Sequence, residues 1–80
     1  MRYVYLLESV DRPDQRYVGL TIDLRKRLAS HNSGQSTHTA KRKPWRLITY
    51  VAFSDVTKAI AFERYLKSAS GRAFANKRLR

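Results

Sequence analysis

Three apolar stretches of this 80-residue chain, separated by polar residues, are rich in aromatic, β-branched and leucine side chains, a pattern that predicts β-strands. Residues 2–8 and 16–20 flank a polar turn around Pro13, and we expect them to pair as an antiparallel hairpin. Residues 45–53 predict a third strand with apolar side chains on both faces. One face would carry Trp45, Leu47, Val51 and Phe53, and the other Ile48, Tyr50 and Ala52. Because a strand of this kind is typically covered on both sides, we expect it to be the central strand.

The hairpin places aromatic residues near a glycine. Tyr5 lies in the first strand, whereas Tyr17 and Gly19 share one face of the second. A glycine is unfavourable inside a strand and indicates that another group approaches its backbone closely. Whether the face with Tyr5 coincides with the face of Tyr17 and Gly19 depends on the strand register, which the sequence does not define.

Helical spacing begins directly after the hairpin. Thr21 can cap a helix that runs to about Asn32, and Gly34 is a suitable C-terminal stop. The buried stripe of this helix would comprise Leu24, Leu28 and His31. A histidine in that stripe is either a satisfied core residue or part of a site facing the sheet, and its position alone favours the core residue.

A second helix is predicted over residues 56–69, capped by Ser54 or Asp55. Its apolar stripe comprises Val56, Ala59, Ile60 and Leu66. Glu63 falls in the middle of this stripe. A carboxylate directed at the core costs several kcal/mol unless it is paired or binds a metal. Glu63 therefore belongs either to a buried ion pair or to a functional site.

A short last helix, capped by Ser70 and carrying Phe74 and Leu79, completes the predicted elements. Their order is β-β-α-β-α-α. We therefore predict an α/β chain of the α+β type, with a small three-stranded antiparallel sheet flanked by helices. The length of 80 residues predicts a single domain over residues 1–80.

The charge is strongly positive, with 17 Lys and Arg against 6 Asp and Glu. No acidic residue occurs between Asp23 and Asp55, and none follows Glu63. Such self-repulsion predicts a polyanionic partner, and nucleic acid is favoured. A membrane surface is disfavoured, because no helix has an apolar face that the core does not need.

Residues 33–43 contain no large apolar residue, which predicts an exposed loop suited to phosphate contacts or a loop that is merely solvated. There is no cysteine, so disulfides and thiolate metal sites are excluded. No signal core and no membrane-length apolar run is present. We expect a cytoplasmic protein, associated with the nucleoid if the source is bacterial.

Three short motifs in this order resemble the GIY-YIG nuclease family over essentially the whole chain. Tyr3-Val4-Tyr5 stands where the family has Gly-Ile-Tyr, and Tyr17-Val18-Gly19 stands for Tyr-Ile-Gly. Residues 24–28 followed by His31-Asn32-Ser33-Gly34 are similar to the next helix in the short stand-alone branch, which includes the nuclease subunit of structure-specific junction endonucleases. Ala61-Phe62-Glu63 resembles the segment with the metal-binding glutamate. Tyr3 departs from the family glycine but leaves Tyr5 in place.

This resemblance implies a metal-dependent endonuclease that hydrolyses phosphodiester bonds in DNA. The implied catalytic residues are Tyr5, Tyr17, Arg25, His31 and Glu63. Glu63 would hold one Mg²⁺ or Mn²⁺, and Arg25 would contact the non-bridging phosphate oxygens. Tyr5 or Tyr17 would relay a proton from water with help from His31, and the metal and nearby cations would favour the phenolate. The expected nucleic-acid contacts are Lys26, Arg27, Lys41, Arg42, Lys43, Arg72 and Asn76.

Two other interpretations stay open. The chain could be a basic nucleic-acid-binding module without catalysis, but such a module has no need for a carboxylate in the position of Glu63. It could also be a nuclease whose substrate choice depends on a protein partner. With no second domain, recognition of DNA shape is favoured over a long sequence-specific site, and DNA is favoured over RNA.

Overall fold

The computed structural model describes all 80 residues, from Met1 to Arg80. Its elements are β1 (Arg2–Ser9), β2 (Arg16–Thr21), α1 (Leu24–Ser33), β3 (Trp45–Phe53), α2 (Val56–Lys67) and α3 (Ala69–Arg78), with a 3₁₀ turn at Ala40–Arg42. The strands form one antiparallel sheet in the order β2-β1-β3. The predicted α+β class and the order of strands and helices are confirmed. None of the helices has both the length and the apolar character needed to cross a membrane.

The central strand is β1, so the expectation that β3 is central was wrong. A bulge explains the misleading pattern: Leu6 pairs with Thr49 but Leu7 pairs with Leu47, which leaves Ile48 as an extra residue. The extra residue reverses the alternation along β3. Apolar residues therefore occur on both faces of an edge strand.

The same bulge separates two residues that were predicted to share a face. Trp45 packs with Tyr5 and Leu7, whereas Phe53 packs with Val4 and the opposite core. The edge position also leaves Tyr50 of β3 51% exposed.

Each face of the sheet has its own small core. On one face, α2 and α3 cover β1 through Val4, Leu6, Ala59, Leu66 and Ala75. On the other face, Tyr5, Leu7 and Trp45 are covered by Tyr17 of β2 and by Leu24 and Leu28 of α1. The predicted stripe of α1 does face the sheet, and His31 at its end is fully buried.

Capping residues define both ends of α1 and the start of α2. Asp23 caps α1 by accepting a hydrogen bond from the amide of Lys26, so Thr21 is not the cap. Gly34 ends α1 in the left-handed conformation with φ of 82°, as predicted. Asp55, one of the two predicted candidates, caps α2 through the amides of Thr57 and Lys58.

The junction between α2 and α3 lies earlier than predicted. The helix α2 ends at Lys67, and Ser68 rather than Ser70 caps α3 by accepting from the amide of Gly71. The residue at position 71 must be glycine, because a Cβ there would collide with the carbonyl of Tyr65. Leu79 follows α3 as its C-terminal cap instead of lying inside it.

Candidate active site

The phenol of Tyr5 lies at the centre of the candidate site. Tyr5 is 2% exposed, and its hydroxyl lies 2.9 Å from Nε2 of His31. Nε of Arg27 donates to the same hydroxyl at 3.3 Å. Strand β1 and helix α1 thus bring the phenol of Tyr5 to a guanidinium and an imidazole that lie 22 and 26 residues further along the chain.

Gly19 makes room for this arrangement. Tyr5 pairs with Gly19 across β1 and β2, and a Cβ at position 19 would collide with the ring and hydroxyl of Tyr5. The face of Tyr5 therefore coincides with the face of Gly19 and Tyr17. The group that approaches the glycine backbone is the candidate catalytic phenol itself.

The hydrogen bonds of His31 define its tautomer. Nδ1 lies 2.7 Å from Oγ1 of Thr39, and that hydroxyl is positioned to donate to the carbonyl of Ser36 at 3.4 Å. Arg27 can only donate to the Tyr5 hydroxyl, so the hydroxyl hydrogen is directed at Nε2 of His31. Nδ1 then carries the imidazole proton and donates to Thr39. Nε2 therefore carries the free lone pair and accepts the hydroxyl hydrogen of Tyr5.

Asn32 and Trp45 hold the loop that carries Thr39. The amide of Asn32 donates to the carbonyl of Trp45 at 3.0 Å and accepts from its backbone N–H. The indole Nε1 of Trp45 donates to the carbonyl of Thr39 at 2.8 Å. Thr39 is buried as a result, although most of the loop around it is polar and exposed.

Tyr17 lies beside this line of hydrogen bonds. Its ring centroid is 4.9 Å from that of His31 in an edge-on arrangement, and 6.2 Å from that of Tyr5. The pKa of Arg27 is raised mainly by its hydrogen bond to Tyr5, with Tyr17 as a weaker partner. Arg27 therefore lies within reach of both tyrosines.

The pKa shifts assign resting protonation states. Burial raises the pKa of Tyr5, and the hydrogen bond from Arg27 offsets this only in part. The resting phenol is therefore protonated, so these cations do not by themselves favour the phenolate, as had been expected. Burial, followed by the charge of Arg27, lowers the pKa of His31. The imidazole is neutral at pH 7 and able to accept a proton.

Glu63 lies close enough for its charge to contribute to the raised pKa of Tyr5. Its side chain is 21% exposed and pairs with Lys67 at 3.1 Å, one helical turn away. Lys67 is itself 54% exposed, so this is a rim ion pair and not the buried pair considered above. The carboxylate is therefore accessible from solvent.

The donor set around Glu63 fits one particular kind of metal site. No group of three His, Asp or Glu side chains comes together in the structure. A hard cation such as Mg²⁺ is commonly held by one or two carboxylates while its other ligands are water and substrate phosphate. A single accessible carboxylate suits that arrangement, and Lys67 is its competing partner.

The remaining predicted site residues are distributed over the surface. Arg25 and Lys26 are exposed on α1, and neither hydrogen-bonds to the tyrosines through its side chain. Lys41, Arg42 and Lys43 lie at the 3₁₀ turn, with Arg42 half-buried. Arg72 and Asn76 of α3 line a separate cavity with Tyr17.

Sequence reasoning missed the contact of Arg27 and the role of Thr39. Arg27 had a usable signal: it is three residues after Leu24 and four before His31, which places it on the buried stripe of α1. Thr39 had none, because its contacts with His31 and Trp45 span a loop with no periodic pattern.

Comparison with known proteins identifies the family of this chain. The family described as the GIY-YIG catalytic domain matches residues 1–78. The chain therefore belongs to the GIY-YIG family, a family of nucleases. A UPF0213 protein of Streptococcus pyogenes serotype M3 is 39% identical over 72 residues, which cover 89% of this chain and 76% of that protein. A UPF0213 protein of serotype M5 is 38% identical over the same length.

The fold has a counterpart among solved structures. The solution NMR structure of a UPF0213 protein from Bacillus halodurans superimposes with a TM-score of 0.57 at 34% identity. The match covers 96% of this chain and 82% of that one.

Proposed function

We propose that this chain is a divalent-metal-dependent endonuclease that hydrolyses phosphodiester bonds in DNA and selects its substrate by structure or shape. The observation that carries the proposal is the line of hydrogen bonds from Arg27 through Tyr5 and His31 to Thr39. A buried polar line of this kind is not needed to fill a core. It does supply a proton acceptor and a positive charge at one point on a basic surface.

Proton transfer is assigned to Tyr5 and His31. A water molecule attacking the phosphorus would displace one bridging sugar oxygen, which leaves with the electron pair of the broken P–O bond, and would give its proton to the phenol oxygen of Tyr5. The phenol would at the same time pass its own proton to Nε2 of His31, whose Nδ1 proton remains on its bond to Thr39. This relay avoids a free phenolate, which the raised pKa of Tyr5 disfavours. Tyr5 is therefore proposed as the proton-relaying tyrosine, with Tyr17 positioned against the histidine.

Charge neutralisation is assigned to Arg27 and Glu63. Arg27 has one bond to Tyr5, and its remaining N–H groups can donate to the non-bridging phosphate oxygens. Arg27 therefore replaces Arg25 as the candidate for this role. Glu63 would hold one Mg²⁺ or Mn²⁺, which when bound would supply charge neutralisation at the scissile phosphate.

DNA is favoured as the substrate by membership of the GIY-YIG family. Lys26, Lys41, Arg42 and Lys43 would contact the backbone without reading sequence. Because backbone contacts carry no sequence information, flaps, junctions or ends are the proposed targets. DNA repair in the cytoplasm, near the nucleoid in a bacterium, is the corresponding setting, and a protein partner would then provide further selection.

The competing function is a basic module that binds nucleic acid without cutting it. The neutral buried imidazole and the accessible carboxylate near one phenol favour the enzyme. Binding requires neither of them.

Glu63→Gln tests the enzyme directly, with Glu8→Gln as the matched control because Glu8 also forms a rim ion pair, with Arg46. Each variant is assayed with Mg²⁺ or Mn²⁺ on single-stranded, duplex, flapped and branched DNA. We expect Glu63→Gln to abolish cleavage while binding stays intact or tightens. Its free energy of unfolding should change by less than about 1 kcal/mol, as for an exposed pair. A Glu63→Gln protein that still cuts would end the metal-site proposal.

A further inference from the structure

A cavity of about 490 Å³ lies between the edge strand β2 and helix α3. Four cationic side chains line it: Arg16, Lys67, Arg72 and Arg80. Asp14 is the one acidic residue in the lining, and it already accepts a hydrogen bond from Gln15. We call this cavity the β2–α3 groove.

Arg80 is the unusual member of the groove. Its Nε and Nη1 atoms are buried and have no hydrogen-bond partner. Burial lowers the pKa of Arg80, and the charge of Arg16 lowers it further. Buried charged donors are almost always paired, so the Nε and Nη1 atoms of Arg80 are two donors at which an acceptor from a ligand would fit.

The protein itself does not supply that partner. Glu8 is near enough to act on the pKa of Arg80, but its carboxylate is bonded to Arg46. The carboxylate of Glu63 is paired with Lys67. A ligand with its own negative charge and several acceptor oxygens would therefore suit the groove, and a phosphate group meets both conditions.

Two residues of the groove lining also contact residues of the candidate active site. Tyr17 lines the groove and also packs edge-on against His31. Lys67 lines the groove and also pairs with Glu63. A nucleic-acid strand with its scissile phosphate near Tyr5 would thus bring a neighbouring phosphate over the β2–α3 groove.

We propose that the β2–α3 groove binds a second backbone phosphate of the nucleic acid, through Arg80 and Arg72. This inference rests on the proposed function, since it assumes a strand at Tyr5. Arg16 of β2 and Asn76 of α3 connect the two sides of the groove, because the guanidinium of Arg16 donates to the Asn76 side-chain carbonyl. The site would hold the strand in register without reading its bases.

The first test uses inorganic phosphate as the probe. Thermal unfolding is measured in metal-free buffer with phosphate or with chloride at matched ionic strength, for the wild type, Arg80→Met and Arg78→Met. Arg78 is the control because it is exposed at the end of α3. We expect phosphate to stabilise the wild type and Arg78→Met by several degrees, but not Arg80→Met. Equal stabilisation of all three proteins would overturn the proposal.

The second test measures oligonucleotide affinity in metal-free buffer over a range of salt concentrations. Arg80→Met should weaken binding about tenfold or more, as for loss of a charge-assisted hydrogen bond. It should also reduce the slope of log affinity against log salt by about one. Arg72→Met should act in the same direction, and both should exceed Arg78→Met. If Arg80→Met loses phosphate stabilisation but keeps oligonucleotide affinity, the groove takes a small phosphate compound and the backbone assignment is wrong.

These results are independent of whether the chain cuts DNA. Should the wild type fail to cleave any substrate while both binding tests give the expected losses, the nuclease proposal fails and the groove remains. Should Glu63→Gln abolish cleavage while Arg80→Met behaves like Arg78→Met in both tests, the groove is overturned and the nuclease remains.

Discussion

Tyr5 and Gly19 face one another across β1 and β2, and the ring of Tyr5 occupies the space where a Cβ at position 19 would stand. The hydroxyl of Tyr5 is held in that position by Nε2 of His31 and Nε of Arg27. The phenol therefore cannot move aside without losing these hydrogen bonds. Gly19 of the motif Tyr17-Val18-Gly19 thus leaves the space that Tyr5 of the motif Tyr3-Val4-Tyr5 occupies.

Gly19→Ala should accordingly damage the site more than the fold. We expect a loss of about 1–3 kcal/mol in the free energy of unfolding, from overpacking against Tyr5. Single-turnover cleavage should slow by about 10²-fold, because the phenol is displaced from His31. Gly34→Ala is the control: its φ of 82° makes alanine unfavourable by about 1 kcal/mol, yet it lies outside the site. Equal cleavage rates per folded molecule in the two variants would contradict this interpretation of Gly19.

The arginine that neutralises charge can be identified with two conservative substitutions on α1. Arg27→Lys keeps a positive charge but removes the planar fork, and should slow cleavage by about 10²-fold or more while DNA affinity changes little. Arg25→Lys should leave the rate within a few-fold of wild type, because Arg25 is exposed and its side chain does not contact Tyr5. The opposite ranking would return the role to Arg25.

Much of the fold follows from local patterns. Period-2 and helical spacing were sufficient for the order of strands and helices, and the left-handed end of α1 follows from Gly34. The position of β3 did not follow, because the extra residue Ile48 mimics a strand with two apolar faces. The bulge depends on the pairing of β3 with β1, and a short stretch of sequence around Ile48 does not include β1.

The candidate site likewise has a part that the sequence predicted and a part that it did not. The family motifs and the carboxylate in an apolar stripe led to Tyr5, Tyr17, His31 and Glu63 as candidates. The hydrogen bond between Tyr5 and His31 required the hairpin register and the packing of α1 on the sheet. The contact of Thr39 with His31 also depends on the conformation of a loop that Asn32 and Trp45 hold in place. Contacts of this range are properties of the tertiary structure.

Thr39 should orient His31, and two substitutions separate that role from packing. Thr39→Val keeps the shape but removes the acceptor for Nδ1, and we expect cleavage to slow about 10- to 10²-fold, as when orienting partners of ligating histidines are lost. Thr39→Ser keeps the hydroxyl and should restore most of the rate. The tautomer of His31, measured by ¹⁵N NMR, should change in Thr39→Val and not in Thr39→Ser. An unchanged tautomer in Thr39→Val would limit Thr39 to a packing role.

The cleavage rate should depend on pH through His31. The relay needs a neutral Nε2, and burial and Arg27 lower the pKa of His31 from its ordinary value of about 6.5. The rate should therefore rise with pH on an acidic limb that lies below about pH 6.5, and level off above it. His38→Gln, which changes the exposed second histidine, should keep this limb. A limb centred above pH 6.5 would argue against His31 as the acceptor.

The free energy of unfolding should also depend on pH through His31, and it should decrease toward acidic pH. Just below about pH 6.5 the histidine of the unfolded chain takes up a proton, whereas His31 in the folded chain does so only at lower pH. The unfolded state then binds more protons, so the free energy of unfolding decreases as the pH falls from about 6.5 toward the folded pKa. Above about pH 6.5 this contribution is fully present. Urea unfolding of wild type, His31→Gln and His38→Gln across this pH range measures this dependence. Only His31→Gln should lose the slope of the free energy of unfolding against pH. An unaltered slope in His31→Gln would assign the pH dependence to another group.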